Sequence, residues 1–244
     1  MRFLVAGGIW RFPFWKVSNK DGAYFVRYPM NARKKKLLIT AGPTREWLDP
    51  VRYISNPSSG KMGYAVAAAA VQAGYDVDLV SGPVQLDAPV GLQFHEVETA
   101  LEMCYVVEDL FENCDCFISV AAVGDWRPAD VHSHKLKKGA ERLVLELVPN
   151  PDILWAMSTR KREGQIVVGF CAETEELEAN ARKKLEEKDL DWIAGNYVGK
   201  GSRDGGFGSD NNTLLLLGRE GQKVTFGPGP KEVLAKELVS RVLS

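Results

Sequence analysis

The sequence predicts an α/β protein: a mostly parallel sheet with helices on both faces and a small antiparallel extension. Three observations carry this. Short apolar runs recur with helical patterns of about 10–15 residues between them. The runs are continuous rather than alternating, as strands buried on both faces require. Gly, Pro and Ser cluster directly after the runs, where such strands end. The 244 residues, 45% hydrophobic and 26% charged, have the composition of a globular chain with one main domain. That length buries a core without staples.

The elements follow in order. Leu37-Leu38-Ile39-Thr40-Ala41 reads as a buried strand stopped by Gly42-Pro43. Residues 60–74 place Ala, Val and Gly at helical spacing and end at Gly74. Val77-Asp78-Leu79-Val80 is the next strand, closed by Ser81-Gly82-Pro83. Residues 99–113 read as a helix, with Thr99 and Glu102 spaced as a capping box. Residues 116–122 and 143–148 read as strands, and 152–162 and 175–189 as helices. Strands follow at 166–170, 191–194 and 213–217, with 224–226 as a hairpin partner and 231–243 as a closing helix. In a parallel sheet of this kind, ligands bind at the carboxyl ends of the strands.

The net charge of −1 conceals a division. Residues 1–36 hold nine Lys/Arg against Asp21 alone, so they carry +8 and residues 37–244 carry −9. The acidic body lacks the basic excess of a nucleic-acid binder. Residues 1–35 show no clean period and no apolar stretch of a secretory signal. They are expected to be a disordered or incidental extension, with the folded domain spanning 36–244 and Met30 a plausible natural start. Cys104, Cys114, Cys116 and Cys171 form no CxxC pair, and no apolar run approaches a membrane span of roughly 18 residues. A cytoplasmic protein without membrane or nucleic-acid partners is expected.

Loop signals concentrate after the strands. Between Gly42 and Gly60 lies a connection of about 18 residues, where 2–6 are usual. Its end, Ser58-Ser59-Gly60, opens a small-residue helix; it is either a plain Ser N-cap or an anion site built from free N–H groups. Ser59-Gly60-Lys61-Met62 is not a phosphate loop, because Ser55 stands where Gly is required and Met62 lacks the hydroxyl for Mg²⁺. No GxGxxG follows the first strand, which argues against a nicotinamide dehydrogenase. His95, His132 and His134 lack zinc-ligand spacing.

A second cluster, Ala121-Ala122-Val123-Gly124-Asp125-Trp126-Arg127-Pro128, lets a ligand approach the backbone, with Asp125 either an acceptor or a turn residue. Lys135-Leu136-Lys137-Lys138 suits a polyphosphate, though a basic turn is often merely solvated. Asn150-Pro151-Asp152-Ile153-Leu154 starts a helix with Asn150 as its expected N-cap. Gly169-Phe170-Cys171-Ala172-Glu173-Thr174 ends a strand, and Lys184 and Lys188 lie four apart on one helix face. A glycine-rich segment from Gly199 to Asn212 is either a lid or a plain surface loop.

Taken together, Ile39 to Glu46, Ile54 to Gly63, the Ala-Ala-Val-x-Asp-Trp-Arg-Pro turn, Lys-x-Lys-Lys, Asn-Pro-Asp-Ile-Leu, Gly-Phe-x-Ala-Glu-Thr and Phe207 to Asn211 resemble the phosphopantothenoylcysteine synthetase family over residues 36–244. The family's flavin-dependent decarboxylase half, usually fused upstream in bacteria, is too large for residues 1–35. The resemblance implies a Rossmann-like fold and CTP-dependent ligation of 4′-phosphopantothenate to L-cysteine through an acyl-cytidylate, releasing CMP and pyrophosphate. It implies Mg²⁺ with CTP and no dedicated protein metal site, a homodimer, and a separate decarboxylase partner.

Residue by residue, the resemblance gives Lys135 and Asn56 catalytic roles. Lys135 would neutralise triphosphate charge, and Asn56 would hold the acyl-cytidylate. It assigns nucleotide binding to Ser59, Gly60, Ala121, Ala122, Asp125, Lys135, Pro151, Asp152, Ile153, Leu154, Phe170, Lys184 and Lys188, and substrate binding to Asn56 and Asn211. Gly124 and Cys171 depart from the commonest pattern without removing a required group. Rival readings are a dinucleotide-dependent reductase and a nucleotide-binding protein without catalysis.

Overall fold

The computed structural model describes residues 14–19, 22–27, 33–139, 142–198 and 208–244, the first two segments as backbone only. The chain divides into two compact units, Met1–Lys34 and Lys35–Ser244. In the first, β1 (Phe14–Asn19) and β2 (Gly22–Arg27) pair antiparallel from Phe14↔Arg27 to Asn19↔Gly22. Trp15 and Val17 stand in register with Val26 and Tyr24.

The second unit is built on an eight-stranded sheet. Its strands are β3 (Lys36–Ala41), β6 (Asp76–Ser81), β7 (Gln93–Glu96), β8 (Cys116–Ser119), β11 (Ile166–Glu173), β12 (Trp192–Tyr197), β13 (Asn211–Gly218) and β14 (Lys223–Pro230). Their order is β14-β13-β12-β11-β8-β3-β6-β7. All pairs from β12 to β7 are parallel, and β13 and β14 are the antiparallel extension. This is the predicted Rossmann-like class.

Alternation along each strand feeds two cores. Leu37, Ile39 and Ala41 face one side with Cys116, Ile118, Leu214 and Leu216; helices α1 (Lys61–Gln72) and α5 (Lys231–Leu243) cover it. Leu38, Phe117, Val167, Leu215 and Leu217 face the other. There lie α2 (Ala100–Phe111), α3 (Ile153–Ser158) and α4 (Leu177–Glu187). The predicted capping box is present: Thr99 Oγ1 accepts from the Glu102 N–H, and the Glu102 carboxylate accepts from the Thr99 N–H.

The long connection after β3 is not a plain loop. It contains an antiparallel hairpin, β4 (Arg45–Asp49) and β5 (Arg52–Ser55). Trp47 packs edge-on against Tyr53 at 5.0 Å, and the Arg45 guanidinium lies over the same Tyr53 ring. Buried Asp49 closes the turn by accepting from the Val51 and Arg52 N–H groups and from the Arg52 guanidinium. A second small pair joins β9 (Trp126–Pro128) to β10 (Leu147–Pro149), so the strand expected from residue 143 begins only at Leu147.

Order in the sheet reverses beside β3. The chain runs from β3 to β6 and β7 on one side, then returns through β8 to β11 and β12 on the other. A crevice forms at such a switch point, outside the strand ends.

Candidate functional site

The crevice is a cavity of about 660 Å³ at the carboxyl ends of β3, β8, β11 and β12, within the usual range of ligand sites, roughly 300–1,000 Å³. Its floor is made by strand ends held closely together. The Ala122 N–H donates to Gly42 O at 2.9 Å, and the Ala121 N–H donates to Thr40 Oγ1 at 3.3 Å. Asn56 bridges the floor to the wall. Its Nδ2 donates to Ala122 O at 3.1 Å and Val123 O at 3.2 Å, which fixes the loop before α1 against the end of β8.

The start of α1 resolves the first alternative left by the sequence. Its N-cap is Gly60, at φ 75°, and no side chain caps it. Ser58 Oγ accepts from the Gly60 N–H at 3.3 Å, so this serine supports the turn rather than the helix. A Cβ at Gly60 would lie 2.7 Å from Val84 Cγ1, and positive φ disfavours any other residue there. The helix therefore opens into the cavity with N–H groups free of a capping side chain, a favourable place for an anion.

On the facing wall, the Asn150 N–H donates to Asp125 O, and Asn150 Nδ2 donates to Gly124 O, both at 2.8 Å. Asn150 is thus a brace for the Asp125 turn and not the N-cap of α3. That position is taken by Asp152, whose Oδ1 accepts from the Trp155 N–H at 3.0 Å. The Asp125 carboxylate accepts no hydrogen bond among the described residues and lines the cavity. Lys188 pairs with Asp152 Oδ2 at 2.8 Å and Lys184 with Glu173 Oε1 at 2.7 Å. Burial pushes the Cys171 thiol up to about 11, so it is a packed side chain rather than a nucleophile.

Thirteen of the fifteen predicted residues meet at this cavity: Asn56, Ser59, Gly60, Ala121, Ala122, Asp125, Pro151, Asp152, Ile153, Leu154, Phe170, Lys184 and Lys188. Lys135 and Asn211 do not line it. Lys135 is exposed, and its neighbour Leu136 is held elsewhere, with its N–H on Asp49 Oδ2 and its carbonyl on Arg52. Asn211 lies one residue along β13 from Asn212, and it is Asn212 that lines the cavity; successive strand residues face opposite ways. Most of the expected glycine-rich lid, residues 199–207, lies outside the described residues.

Two further lysines line the cavity: Lys61, in the segment rejected as a phosphate loop, and Lys231, which carried no sequence signal. Lys61 Nζ donates to Asp210 Oδ1 at 2.6 Å and to Gly208 O at 3.2 Å. Lys231, the first residue of α5, is almost fully buried, and its Nζ donates to Ser209 O. Lys61 holds the Asp210 carboxyl below its usual range. Burial, and then the Lys61 charge, lower the Lys231 ammonium from its ordinary value, with Asp210 opposing.

A sheet crevice walled by small residues, uncapped helix N–H groups and four lysines places the chain among α/β proteins whose strand-end site suits an anionic ligand. The chain belongs to the family described as the DNA/pantothenate metabolism flavoprotein C-terminal domain, which it matches over residues 32–244. The resemblance read from its motifs therefore stands.

It is 46% identical over 220 residues to the coenzyme A biosynthesis bifunctional protein CoaBC of Escherichia coli K12, a match covering 88% of this chain and 53% of that protein. The chain thus spans about half the length of the curated relatives it matches. The crystal structure of a CoaBC C-terminal domain is similar at 38% identity and a TM-score of 0.72, covering 85% of this chain and 93% of the other. A Cab2 mutant in complex with phosphopantothenate-cysteine shares the fold at 18% identity and a TM-score of 0.69, covering 86% of each chain. Among the described residues no helix is long and apolar enough to cross a membrane.

Proposed function

We propose that the chain ligates 4′-phosphopantothenate to L-cysteine in coenzyme A biosynthesis, with CTP as the activating nucleotide. The observation that supports this best is the convergence of thirteen motif residues, drawn from segments far apart in sequence, on one cavity with lysines on its wall. The substrate carboxylate attacks the α-phosphorus of CTP; the new O–P bond displaces pyrophosphate and leaves an acyl-cytidylate. The cysteine amine then attacks the acyl carbon, forming C–N as C–O breaks. CMP departs and the amine loses a proton.

The chain's own groups supply orientation and charge. Asn56, fixed by two carbonyls, would hold the acyl-cytidylate between the steps. Asp125 offers an unengaged carboxylate to the nucleoside, and Lys184 and Lys188 offset phosphate charge, the principal lever in such transfers. Mg²⁺ would arrive on the triphosphate and neutralise part of its charge. The lysine-rich wall suits phosphates, and no group of three metal-ligating side chains occurs among the described residues. Lys135, outside the cavity wall, takes part only if its segment moves to the triphosphate of its own or a partner chain. Asn211 would assist closure over the pantothenate arm.

A homodimer is part of the proposal. Val51, Tyr53 and Ile54 on the β4–β5 hairpin and Trp126 and Leu147 on the β9–β10 pair are exposed apolar side chains, the composition of a contact surface. A decarboxylase acting on the product is the expected functional partner, and a cytoplasmic location is proposed with it.

The test is pyrophosphate release. The protein with CTP, Mg²⁺ and 4′-phosphopantothenate should release pyrophosphate before cysteine is added. No release with any nucleotide would defeat the ligase reading. A reductase would instead turn over a nicotinamide cofactor.

A further inference from the structure

Thr44, between β3 and β4, is fully buried and is not among the residues that line the cavity. Its two oxygens accept from two separate segments. Thr44 Oγ1 accepts from the Gly124 N–H at 2.9 Å, 80 residues away in sequence, and the Thr44 carbonyl accepts from Ser55 Oγ at 2.7 Å. Gly124 directly precedes Asp125, and Ser55 directly precedes Asn56. One buried residue therefore joins the two turns that bring a carboxylate and an amide to the cavity.

Each turn depends on this tie in its own way. Gly124 has no side chain to pack, and a Cβ there would stand 3.3 Å from Glu46 Cγ and 3.5 Å from Thr44 Oγ1. Its N–H is held by Thr44 from the hairpin side, while Asn150 holds its carbonyl from the opposite wall. Asn56 donates through Nδ2 to the Ala122 and Val123 carbonyls. An amide nitrogen has two hydrogens, so both are engaged and Oδ1 remains for a ligand. Asn56 is itself exposed, and the Ser55–Thr44 bond ties the residue before it to the buried part of the fold.

We propose that Thr44 is a positioning residue for the ligation, a strut whose hydroxyl sets the Asp125 turn and whose carbonyl sets the Asn56 turn. This rests on the ligase reading, in which Asp125 meets the nucleoside and Asn56 retains the acyl-cytidylate. Thr44, off the cavity wall, acts only through these two. It fixes the distance between groups that must work on one molecule, where a misplacement of about 1 Å costs up to a hundredfold in rate.

Thr44→Val and Thr44→Ser separate the strut from simple packing. Val keeps nearly the same shape and loses the hydroxyl; Ser keeps the hydroxyl and loses a methyl group. The strut requires Val to raise the KM for CTP at least fivefold and Ser to stay within twofold of wild type. A threonine that only fills space gives the reverse order, because deleting a buried methyl leaves a cavity. Ser55→Ala loosens the other arm. There the KM for CTP should hold within twofold, while pyrophosphate released per cysteine adduct rises at least twofold, as water rather than cysteine takes the acyl group.

An unchanged KM for CTP in Thr44→Val, or an equal loss in Thr44→Ser, would overturn the proposal, as would unchanged coupling in Ser55→Ala. Should Thr44→Val not fold, Thr44→Ala takes its place, since it differs from Thr44→Ser only by the hydroxyl. If the wild-type chain releases no pyrophosphate, the ligase reading fails on its own. The strut is then read by amide hydrogen exchange at Gly124, which should quicken at least tenfold in Thr44→Val and not in Thr44→Ser. Equal exchange rates in the two variants would overturn it.

Discussion

Replacing Gly63 by Ala drives a methyl group into the seam between α1 and β3. A Cβ at that position lies 2.5 Å from the Ala41 Cβ, 3.1 Å from the Ala41 Cα and 3.2 Å from Thr40 O. Non-bonded carbons sit at roughly 3.5–4.0 Å, so the first turn of α1 must retreat by about 1 Å. Overpacking of this kind costs ~1–3 kcal/mol, and the higher helix propensity of Ala returns about 1 kcal/mol. The net loss is ~0–2 kcal/mol, and at about 2–4 °C per kcal/mol the melting temperature falls by no more than about 8 °C.

The site should suffer more than the fold. Gly63 is the third residue of α1, whose opening lines the cavity, and a misplacement of about 1 Å costs up to a hundredfold in rate. The expected outcome is a 10- to 100-fold fall in kcat/KM for pyrophosphate release, with the folded state retained at assay temperature. Gly74→Ala is the control. At φ 90° it is strained by ~1–2 kcal/mol, yet nothing lies within 4 Å of its Cβ and it follows the far end of the helix. It should melt lower and keep full activity. Unchanged activity in Gly63→Ala, or equal activity losses in both variants, would refute the reasoning.

Two further outcomes follow from individual contacts. Lys188→Ala leaves Asp152 capping α3 but removes a cation from the nucleotide wall. The KM for CTP should rise about tenfold with little change in stability, since a partly exposed pair contributes at most ~1 kcal/mol; a rise confined to 4′-phosphopantothenate would contradict the assignment. Asp49 is held well below the usual carboxylate range, chiefly by the Arg52 guanidinium and also by the Leu136, Val51 and Arg52 N–H groups, with burial opposing. A depressed pKa stabilises the fold above the unfolded value of about 4 and loses that contribution as pH falls below it. Asp49→Asn should therefore be less stable at pH 7 and show a flatter stability profile between about pH 4 and 2, measured by urea unfolding. An unchanged profile would show that the carboxylate is not the group responsible.

The sheet was legible because its strands are buried on both faces and so appear as unbroken apolar runs. Most of the site was legible because Asn56, Asp125 and Asp152 each sit in a turn directly after such a run or before a helix, and Phe170 lies near the end of one. The β4–β5 hairpin was not, because Asp49-Pro50 marks a turn without revealing that Trp47 and Tyr53 pack across it. Asn150 was misread as a cap because its role depends on Gly124 and Asp125, which are distant in sequence. Lys231 had no local signal at all. It reaches the cavity because α5 packs beside α1, bringing the first residues of both helices to the Gly208–Asp210 segment.

The central claim concerns the activated intermediate, and mass spectrometry addresses it directly. Incubated with CTP, Mg²⁺ and 4′-phosphopantothenate without cysteine, the Asn56→Asp variant should accumulate the acyl-cytidylate, whereas the wild-type chain should convert it to the cysteine adduct and CMP when cysteine is added. Cysteine adduct formed without any cytidylate, or with release of a nucleoside diphosphate in place of pyrophosphate, would contradict the account.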